Sequence, residues 1–513
     1  MLARILSAAV VGIEARLVEV QVDAAPGLPV TRTLGLPDKS IRESADRVFT
    51  AIHNCGFLFP SKRITINLAP ADLPKAGSGF DLPVALGMLA AVLEEPCGVV
   101  ALERYLWVGE LTLEGTVRSV RGILPVALEA RRRGMAGVVC APGVAAEAAV
   151  VAGLEARVAH TLQEAWAFLR GKADLPRALP PVESDERLGR RSKSPPDLAD
   201  VKGQAMGRRA LEIAAAGEHN LLFVGPPGAG KTMLARRLPG ILPPLSNEEA
   251  LTVSCLYSVA GLMPPGAGLI RAAPFRAPHH TATPVAIAGG GPHVRPGELS
   301  LACHGVLFLD ELPEFQRGTL ETLRQPLEDG SIRIDRARGS VQYPSRFLLA
   351  AAMNPCPCGL HGDPRRACAC SPPQVTRYRN RVSGPLLDRM DLQVWVPVLS
   401  AEDLMGSRRG EPSAAVRERV LRARRRQNER GGVSNGRLDR KELDERVPLD
   451  PASRRLLSDA ITRFGLSARA YDRILRMALT ISDLEEAPVR AGHIAEAIQY
   501  RVLDREAAGA PVA

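Results

Sequence analysis

Aromatic residues are scarce in this chain of 513 residues, where Phe, Trp and Tyr together make up 4%. This argues against broad base-stacking surfaces as the main mode of nucleic-acid binding, but not against binding to a phosphate backbone. No apolar run approaches the roughly 18 residues of a membrane-spanning helix. The apolar start resembles a signal peptide only weakly, because Glu14 and Arg16 interrupt it. We therefore expect a cytoplasmic protein with no membrane partner.

The cysteines do not follow the pattern of a secreted, disulfide-stabilised protein. There are nine, an odd number in a large chain, and four of them crowd into residues 356–370. Charge of one sign is not in large excess either: the net charge is +10, from 66 Lys and Arg against 56 Asp and Glu. This balance is compatible with a polyanionic partner such as nucleic acid, although many basic proteins bind none.

Alternating strand-like and helical segments predict an α/β protein of several domains. Three nearly continuous apolar runs predict central parallel strands that are covered on both faces; these runs are 220–224, 305–309 and 346–353. We predict an α/β domain, a linker rich in Pro, Ser and charge, a second α/β domain and a helical domain, with the bounds 1–171, 172–196, 197–400 and 401–508.

A glycine-rich segment joins the first of these strands to a predicted helix. Glycines at such a turn let backbone N–H groups converge on phosphate oxygens, and the helix N-terminus adds positive potential. The lysine is predicted to reach the β- and γ-phosphates of ATP, and the threonine hydroxyl to ligate Mg²⁺. The predicted nucleotide-binding residues are Gly225, Pro226, Pro227, Gly228, Ala229, Gly230, Lys231 and Thr232.

Polar side chains follow the other two apolar runs. Asp310 and Glu311 end the second run, so Asp310 is predicted to hold Mg²⁺ and Glu311 to polarise the attacking water. Asn354 ends the third run and is predicted to hold that water or to sense the γ-phosphate. A plain strand-ending turn before Pro355 is the alternative. Together these residues predict hydrolysis as well as binding.

A Cys-rich loop, residues 355–371, carries the spacing C-x-C, nine residues, C-x-C. Four thiolates can close a tetrahedral Zn²⁺ site, in which His361 could replace one of them. The loop has little apolar content to hold it, so a structural metal is physically sensible. Reduced or redox-sensitive thiols are the alternative. The candidate zinc ligands are Cys356, Cys358, Cys368 and Cys370.

Residues 331–343 alternate in polarity and turn near Arg338, which predicts a hairpin. Arg336 and Arg338 are predicted to contact DNA phosphates by charge. A second candidate is a Gly- and Pro-rich loop with His293 and Arg295. Neither segment has the aromatic residues for reading bases, so we expect little sequence specificity. Solvated charged turns are the alternative.

In this order, the phosphate loop, the Asp-Glu strand and the Asn-tipped strand resemble the AAA+ ATPases. Other motifs are similar to those of the magnesium-chelatase-like proteins, in particular the bacterial competence/YifB (ComM-like) group. These motifs are Pro274-Phe-Arg-Ala-Pro-His-His, Gly289-Gly-Gly-Pro-His, Asn354-Pro-Cys-Pro-Cys-Gly and Ser383-Gly-Pro-Leu-Leu-Asp-Arg-Met-Asp. The resemblance covers nearly the whole chain. It implies a Lon-protease-like N-terminal domain, an AAA+ α/β domain, a C-terminal helical lid and a homo-hexameric ring.

The resemblance also implies roles for two arginines. Arg389 matches the arginine finger, which reaches the γ-phosphate held by the neighbouring subunit. An ion pair to Asp388 or Asp391 of the same chain is the alternative. Arg469 matches the sensor-2 arginine of the lid, although arginines one and two turns further on could take that role. The hairpin at residues 331–343 would then project into the pore of the ring.

The Lon-type protease uses a Ser–Lys dyad, and the resemblance aligns its two positions with Gly79 and Leu124. Leu124 cannot serve as the base that a nucleophilic serine such as the adjacent Ser78 requires. We therefore expect a non-proteolytic scaffold or polyanion-binding module, and an ATP-dependent protease is disfavoured. The resemblance favours a hexameric DNA motor, a helicase or branch-migration enzyme in the recombination of transforming DNA. A chelatase-type motor subunit that remodels a protein partner is the alternative, although we expect no Lon-like domain in it.

Overall fold

The computed structural model describes most of the chain. Its described ranges are residues 2–28, 30–35, 39–58, 62–73, 75, 77–93, 104–181, 195–291, 294–336, 339–363, 365–405, 409–501 and 503. Over these ranges no helix is both long and apolar enough to cross a bilayer.

The N-terminal region, up to residue 181, combines a mixed sheet with a smaller parallel sheet. Strands β1, β2 and β4 are antiparallel neighbours, β3 joins parallel to β4, and β5, β8 and β9 are parallel. The strands are β1 (Leu2–Val11), β2 (Glu14–Ala25), β3 (Thr31–Leu34), β4 (Arg63–Ala69), β5 (Tyr105–Trp107), β6 (Glu110–Leu111), β7 (Val117–Arg118), β8 (Gly137–Cys140) and β9 (Glu155–Val158). The helices are α1 (Lys39–Asn54), α2 (Asp81–Leu93), α3 (Ile123–Arg132), α4 (Pro142–Ala148) and α5 (Leu162–Leu169).

The central region is built on a parallel sheet in the order β11-β14-β17-β10-β18. Every residue of β10, β14 and β17 is buried, as predicted for strands that are covered on both faces. Its strands, together with two small hairpins, are β10 (Leu221–Val224), β11 (Phe275–Arg276), β12 (Gly289–Gly290), β13 (Arg295–Pro296), β14 (Val306–Leu309), β15 (Ser331–Arg336), β16 (Gly339–Pro344), β17 (Leu348–Met353) and β18 (Leu392–Trp395).

The helices of the central region are α6 (Ala205–Gly217), α7 (Lys231–Ala235), α8 (Leu238–Ile241), α9 (Asn247–Ala260), α10 (Pro284–Ala288), α11 (Glu298–Leu301), α12 (Arg317–Glu321), α13 (Arg324–Asp329), α14 (Pro372–Arg379) and α15 (Gly384–Leu387). The C-terminal helices are α16 (Ala401–Met405), α17 (Ser413–Glu429), α18 (Arg440–Arg446), α19 (Pro451–Phe464), α20 (Ala468–Leu484) and α21 (Ala491–Gln499). Short 3₁₀ turns are Leu198–Asp200, Leu312–Glu314 and Asn435–Arg437.

The arginines of α17 hold the helical region against the central region. Arg417 donates to the carbonyl oxygen of Gly240 at 2.9 Å, and Arg424 pairs with Glu218 at 2.7 Å. Val420, on the same face of the helix, is fully buried in the core that both regions share. These two arginines therefore tie the regions together inside the chain.

The predicted linker, residues 172–196, is packed over its first part. Leu175 is buried in the N-terminal core, and Asp174 pairs with Arg157 at 2.8 Å. Residues 182–194 lie outside the described ranges.

Among the described residues, the contacts between the N-terminal and central regions include the following two. The backbone N–H of Gly122 donates to the carbonyl oxygen of Ser258 at 3.1 Å. The turn between β1 and β2 packs against β16, where a Cβ placed on Gly12 would lie 3.2 Å from Val341 Cγ1. Leu124, at the position that the resemblance aligns with the protease's lysine, is wholly buried, and Ser78 donates its hydroxyl to Glu110.

Candidate nucleotide site and nucleic-acid interface

The phosphate loop, residues 225–232, lies where β10 ends and α7 begins. Gly228 and Gly230 have φ of +75° and +95°, in the left-handed region that glycine tolerates without cost. A Cβ placed on Gly225 would lie 2.2 Å from the carbonyl oxygen of Val396. The backbone path of this loop therefore requires glycine at these positions.

Lys231 is 8% exposed and lies at the centre of the loop. Its Nζ donates to the carbonyl oxygens of Gly225 at 2.5 Å and Pro226 at 2.9 Å, and to Asn354 Oδ1 at 3.0 Å. Burial lowers the pKa of Lys231 to about 8, against the opposing charges of Asp310 and Glu311. The structure thus brings the predicted lysine and the predicted asparagine into contact, although 123 positions separate them.

Thr232 and Asp310 also meet at this edge of the sheet. The Thr232 hydroxyl donates to Asp310 Oδ2 at 2.5 Å, and Asp310 Oδ1 accepts from the backbone N–H of Glu311 at 3.0 Å. A hydroxyl and a carboxylate held together are oxygen ligands of the kind that Mg²⁺ prefers. The residues present therefore fit the predicted Mg²⁺ site.

Glu311 has a φ of +52°, which is unusual for a residue with a side chain and marks stored backbone strain. Its carboxylate lies 3.4 Å from Nδ1 of His280, measured to Oε2. The His280 ring packs against His279, with ring centroids 4.1 Å apart, and edge-on against Phe315. The sequence shows the His-His pair after β11 but gave no reason to link it to Glu311.

Arg389 and Arg469 lie at the opposite edge of the sheet, where β10 begins. The side chain of Asn220 donates to the carbonyl oxygen of Arg389 at 2.9 Å. The guanidinium of Arg389 pairs with Glu328, not with either predicted aspartate, and donates to a backbone carbonyl. Burial lowers the pKa of Arg389. Arg469 pairs with Asp388 at 3.3 Å.

These two arginines line one cavity of about 590 Å³, which we call the amino-edge cavity; it is also lined by Asn220, Arg346, Arg473 and Arg476. Strand β10 lies between this cavity and the phosphate loop. Residues 220 and 225, at its two ends, are about 16 Å apart along the strand. Within one chain, therefore, the two predicted arginines are not brought to Lys231.

The four thiols of the Cys-rich loop converge. All four Sγ atoms lie within 4.8 Å of one another, and three of the separations are 3.4, 3.6 and 3.7 Å. A tetrahedron of sulfurs 2.3 Å from Zn²⁺ has edges of about 3.8 Å. Backbone N–H groups point at the sulfurs, and that of Leu360 lowers the pKa of Cys358 to about 6. His361 is not part of this group among the described residues.

The Cys-rich loop also contacts the phosphate loop. Gly359 has a φ of +80°, and a Cβ placed there would lie 2.6 Å from Cδ of Pro227. It would also lie 3.9 Å from Cγ of Asn354. The shape of the Cys-rich loop therefore affects the residues of the predicted nucleotide site, a contact that the sequence did not reveal.

The two predicted DNA-contacting segments are hairpins that lie side by side. Tyr343, in β16, donates its hydroxyl to the carbonyl oxygen of Val294, next to β13, at 3.0 Å. A Cβ placed on Gly290 would lie 2.9 Å from Nη2 of Arg336. Arg336 and Arg295 are both exposed. The other two predicted residues, Arg338 and His293, lie outside the described ranges.

Three family descriptions match the chain. "Magnesium chelatase, subunit ChlI" matches residues 197–404, "Subunit ChlI of Mg-chelatase" residues 19–143, and "Magnesium chelatase, subunit ChlI C-terminal" residues 410–501. A magnesium-chelatase 67 kDa subunit from Heliobacterium mobile is 31% identical, but over only 32% of this chain and 29% of its own length.

Several relatives match over nearly their whole length, two of them at 45% identity. The competence protein ComM of Haemophilus influenzae is 45% identical over 98% of each chain. The uncharacterised protein YifB of Salmonella typhimurium is also 45% identical over 98% of each chain. With matches of this extent, the chain belongs to the magnesium-chelatase-like AAA+ family, in the group that contains ComM and YifB.

Proposed function

We propose that the protein is a hexameric AAA+ motor that uses ATP hydrolysis to move along DNA, as a helicase or branch-migration enzyme does. The adjacency of the two basic hairpins is the observation that carries the DNA part of this proposal. The ring, its Lon-like N-terminal domain and its helical lid are part of the same proposal. A role in the recombination of transforming DNA is supported by the name of the Haemophilus influenzae relative, a competence protein.

At the carboxyl edge of the sheet, five side chains share the steps of hydrolysis. Lys231 would hold the β- and γ-phosphates, and Glu311 would draw a proton from the attacking water. Asn354, which already accepts from Lys231, would orient that water. Thr232 and Asp310 would hold Mg²⁺, which when bound neutralises the charge that develops on the phosphate oxygens.

Arg389 and Arg469 would complete the site of the neighbouring subunit. They lie on the far side of β10 from their own phosphate loop, so they cannot serve it without a large rearrangement. A ring in which the amino-edge cavity of one subunit faces the phosphate loop of the next brings both arginines to a triphosphate. Glu328 then competes with that triphosphate for Arg389.

DNA would be held by charge at the paired hairpins. Arg336 and Arg295 are exposed, and neither hairpin presents an exposed aromatic side chain among its described residues. Contacts of this kind are made to phosphates, so binding should weaken steeply with salt and show little sequence preference.

The test is an ATPase assay with and without forked and four-way DNA. Lys231→Ala should abolish basal turnover. Arg336→Ala combined with Arg295→Ala should keep basal turnover but lose most of its stimulation by DNA. Arg455→Ala is the matched control, because Arg455 is an exposed arginine of α19 with no ion pair to a described residue. DNA stimulation that survives the double substitution would refute the hairpin assignment, and absence of any DNA effect on the wild type would refute the motor.

A chelatase-type motor subunit that remodels a protein partner is the second candidate. The family descriptions favour it, and one of them covers residues 19–143, so the N-terminal region does not argue against it as the sequence led us to expect. The match to the magnesium-chelatase subunit itself covers only part of the chain, and this argues against the second candidate. A turnover indifferent to DNA, together with copurification of a metal-inserting partner, would favour this candidate.

We also propose that the four cysteines hold one structural Zn²⁺. The converging thiols and the backbone N–H groups around them support it, and reduced thiols are the competing interpretation. Elemental analysis of the purified protein should find about one zinc per chain, and Cys368→Ser should remove most of it. A metal-free wild type that reacts with four equivalents of a thiol reagent at this loop would exclude zinc.

A further inference from the structure

Arg346 lines the amino-edge cavity together with Arg389 and Arg469, and no sequence motif singles it out. It is exposed, and its guanidinium makes no hydrogen bond or ion pair with any residue in the described ranges. The other two arginines each have a carboxylate partner within the chain. Carboxylates, including Glu328 and Asp329, line this cavity as well as the arginines, but none of the described residues pairs with Arg346.

The backbone around Arg346 is held firmly. Its carbonyl oxygen accepts from the backbone N–H of His304 at 2.6 Å, and the preceding residue, Ser345, donates to the carbonyl oxygen of Gly330 at 2.9 Å. The side chain runs past Gly330, where an added Cβ would lie 3.8 Å from Nε of Arg346. A fixed backbone with an unpaired guanidinium is what preorganised recognition of an anion needs.

Arg346 also stands between two functional segments of the chain. It follows hairpin β15–β16 by two residues and precedes β17 by two. At the other end of β17 lies Asn354, about 26 Å away for eight residues of extended chain. A single strand thus connects Arg346, at the amino edge, to the chain's own nucleotide site at the carboxyl edge.

We propose that Arg346 is a third cation that contacts the triphosphate bound by the neighbouring subunit, beside Arg389 and Arg469. This inference rests on the proposed ring. A triphosphate carries several negative charges, and a planar guanidinium binds two phosphate oxygens at once, in a bidentate manner. Arg346 also lies at the base of the DNA-contacting hairpin. Loss of the γ-phosphate from the neighbouring subunit's site therefore releases the residue at the base of that hairpin.

The first test compares Arg346→Ala and Arg346→Lys with the wild type. Removal of one donor to the charge of a transition state costs about 10²-fold, so kcat of Arg346→Ala should fall by about that factor. Binding of a fluorescent ATP analogue to its intact phosphate loop should be retained. Arg346→Lys should recover part of the activity, since it restores the positive charge but not the bidentate geometry of the guanidinium. A kcat for Arg346→Ala within twofold of the wild type would overturn the proposal.

The second test asks whether Arg346 acts across the subunit boundary. Neither Arg346→Ala nor Lys231→Ala has a complete site alone, but a mixed ring contains sites that pair the intact phosphate loop of one variant with the intact Arg346 of the other. The mixture should therefore be more active than the sum of its separate parts. Arg389→Ala mixed with Lys231→Ala is the reference. If activity recovers in the Arg389→Ala mixture but not in the Arg346→Ala mixture, this inference alone is overturned. If activity does not recover in the Arg389→Ala mixture, the proposal of a site shared between subunits is overturned.

Discussion

Nucleotide binding should be accompanied by proton uptake at Lys231. In the free protein, burial lowers the pKa of this ammonium group to about 8. Phosphate oxygens beside it would stabilise its charged form and raise that pKa. At pH values between the lower pKa of Lys231 in the free protein and its higher pKa in the complex, the free protein holds fewer protons than the complex. Binding must then take up protons in this interval, and the affinity must fall as pH rises through it.

The magnitude follows from the pKa. With a value of about 8, the neutral fraction of Lys231 is about 0.1 at pH 7 and about 0.9 at pH 9. The complex should therefore take up about 0.1 proton per nucleotide at pH 7 and about 0.9 at pH 9. Since only the charged form binds well, the apparent Kd should rise about tenfold over the same interval.

Titration calorimetry with a non-hydrolysable ATP analogue, in two buffers of different ionisation enthalpy, measures this uptake directly. Lys231→Arg is the control, because a guanidinium stays charged at every pH of the experiment. The reasoning is refuted if the wild type takes up less than about 0.2 proton at pH 9, or if Lys231→Arg takes up as much as the wild type.

Three further changes test the surroundings of the site. His280→Ala should lower kcat by about 10- to 100-fold at unchanged KM for ATP, because Glu311 loses the side chain that orients it, and His280→Asn should lose less. Gly359→Ala should raise KM for ATP by pushing on Pro227, whereas Gly492→Ala, which meets no atom within 4 Å, should not. If the proposed Zn²⁺ is bound, its removal by a chelator should also raise KM for ATP, and an unchanged KM would show that the metal site does not influence the phosphate loop.

Local patterns were sufficient for the phosphate loop, because strand, loop and helix are contiguous in residues 225–232. The central strands were predictable for a related reason, since burial on both faces leaves an apolar run that needs no partner to be recognised. Lys231 and Asn354 were each predicted to act at the phosphates, and their contact follows from the pairing of β10 with β17, since parallel strands that are neighbours end at one edge.

Contacts between distant segments were not predictable in this way. The pairing of Glu311 with His280 depends on β11 and β14 being neighbours, and nothing in the spacing of the two residues shows it. The clustered arginines of α17 carry no sign of their partners in the sequence, but Arg417 and Arg424 bind groups of the same chain. Charge in a sequence predicts that partners exist, whereas the fold decides which groups they are.

The position of β17 limits how one nucleotide site can influence the next. Every residue of this strand is buried, and it is paired with β14 on one side and β10 on the other. A strand held in this way transmits a displacement along its length, because a close-packed interior has low compressibility. If Asn354 at one end and Arg346 at the other contact consecutive nucleotides of a ring, a change at either end must move the sheet as a rigid body. The hairpin β15–β16, two residues from Arg346, would move with it, so the step along DNA would come from rotation of whole subunits rather than from local flexing of the hairpin.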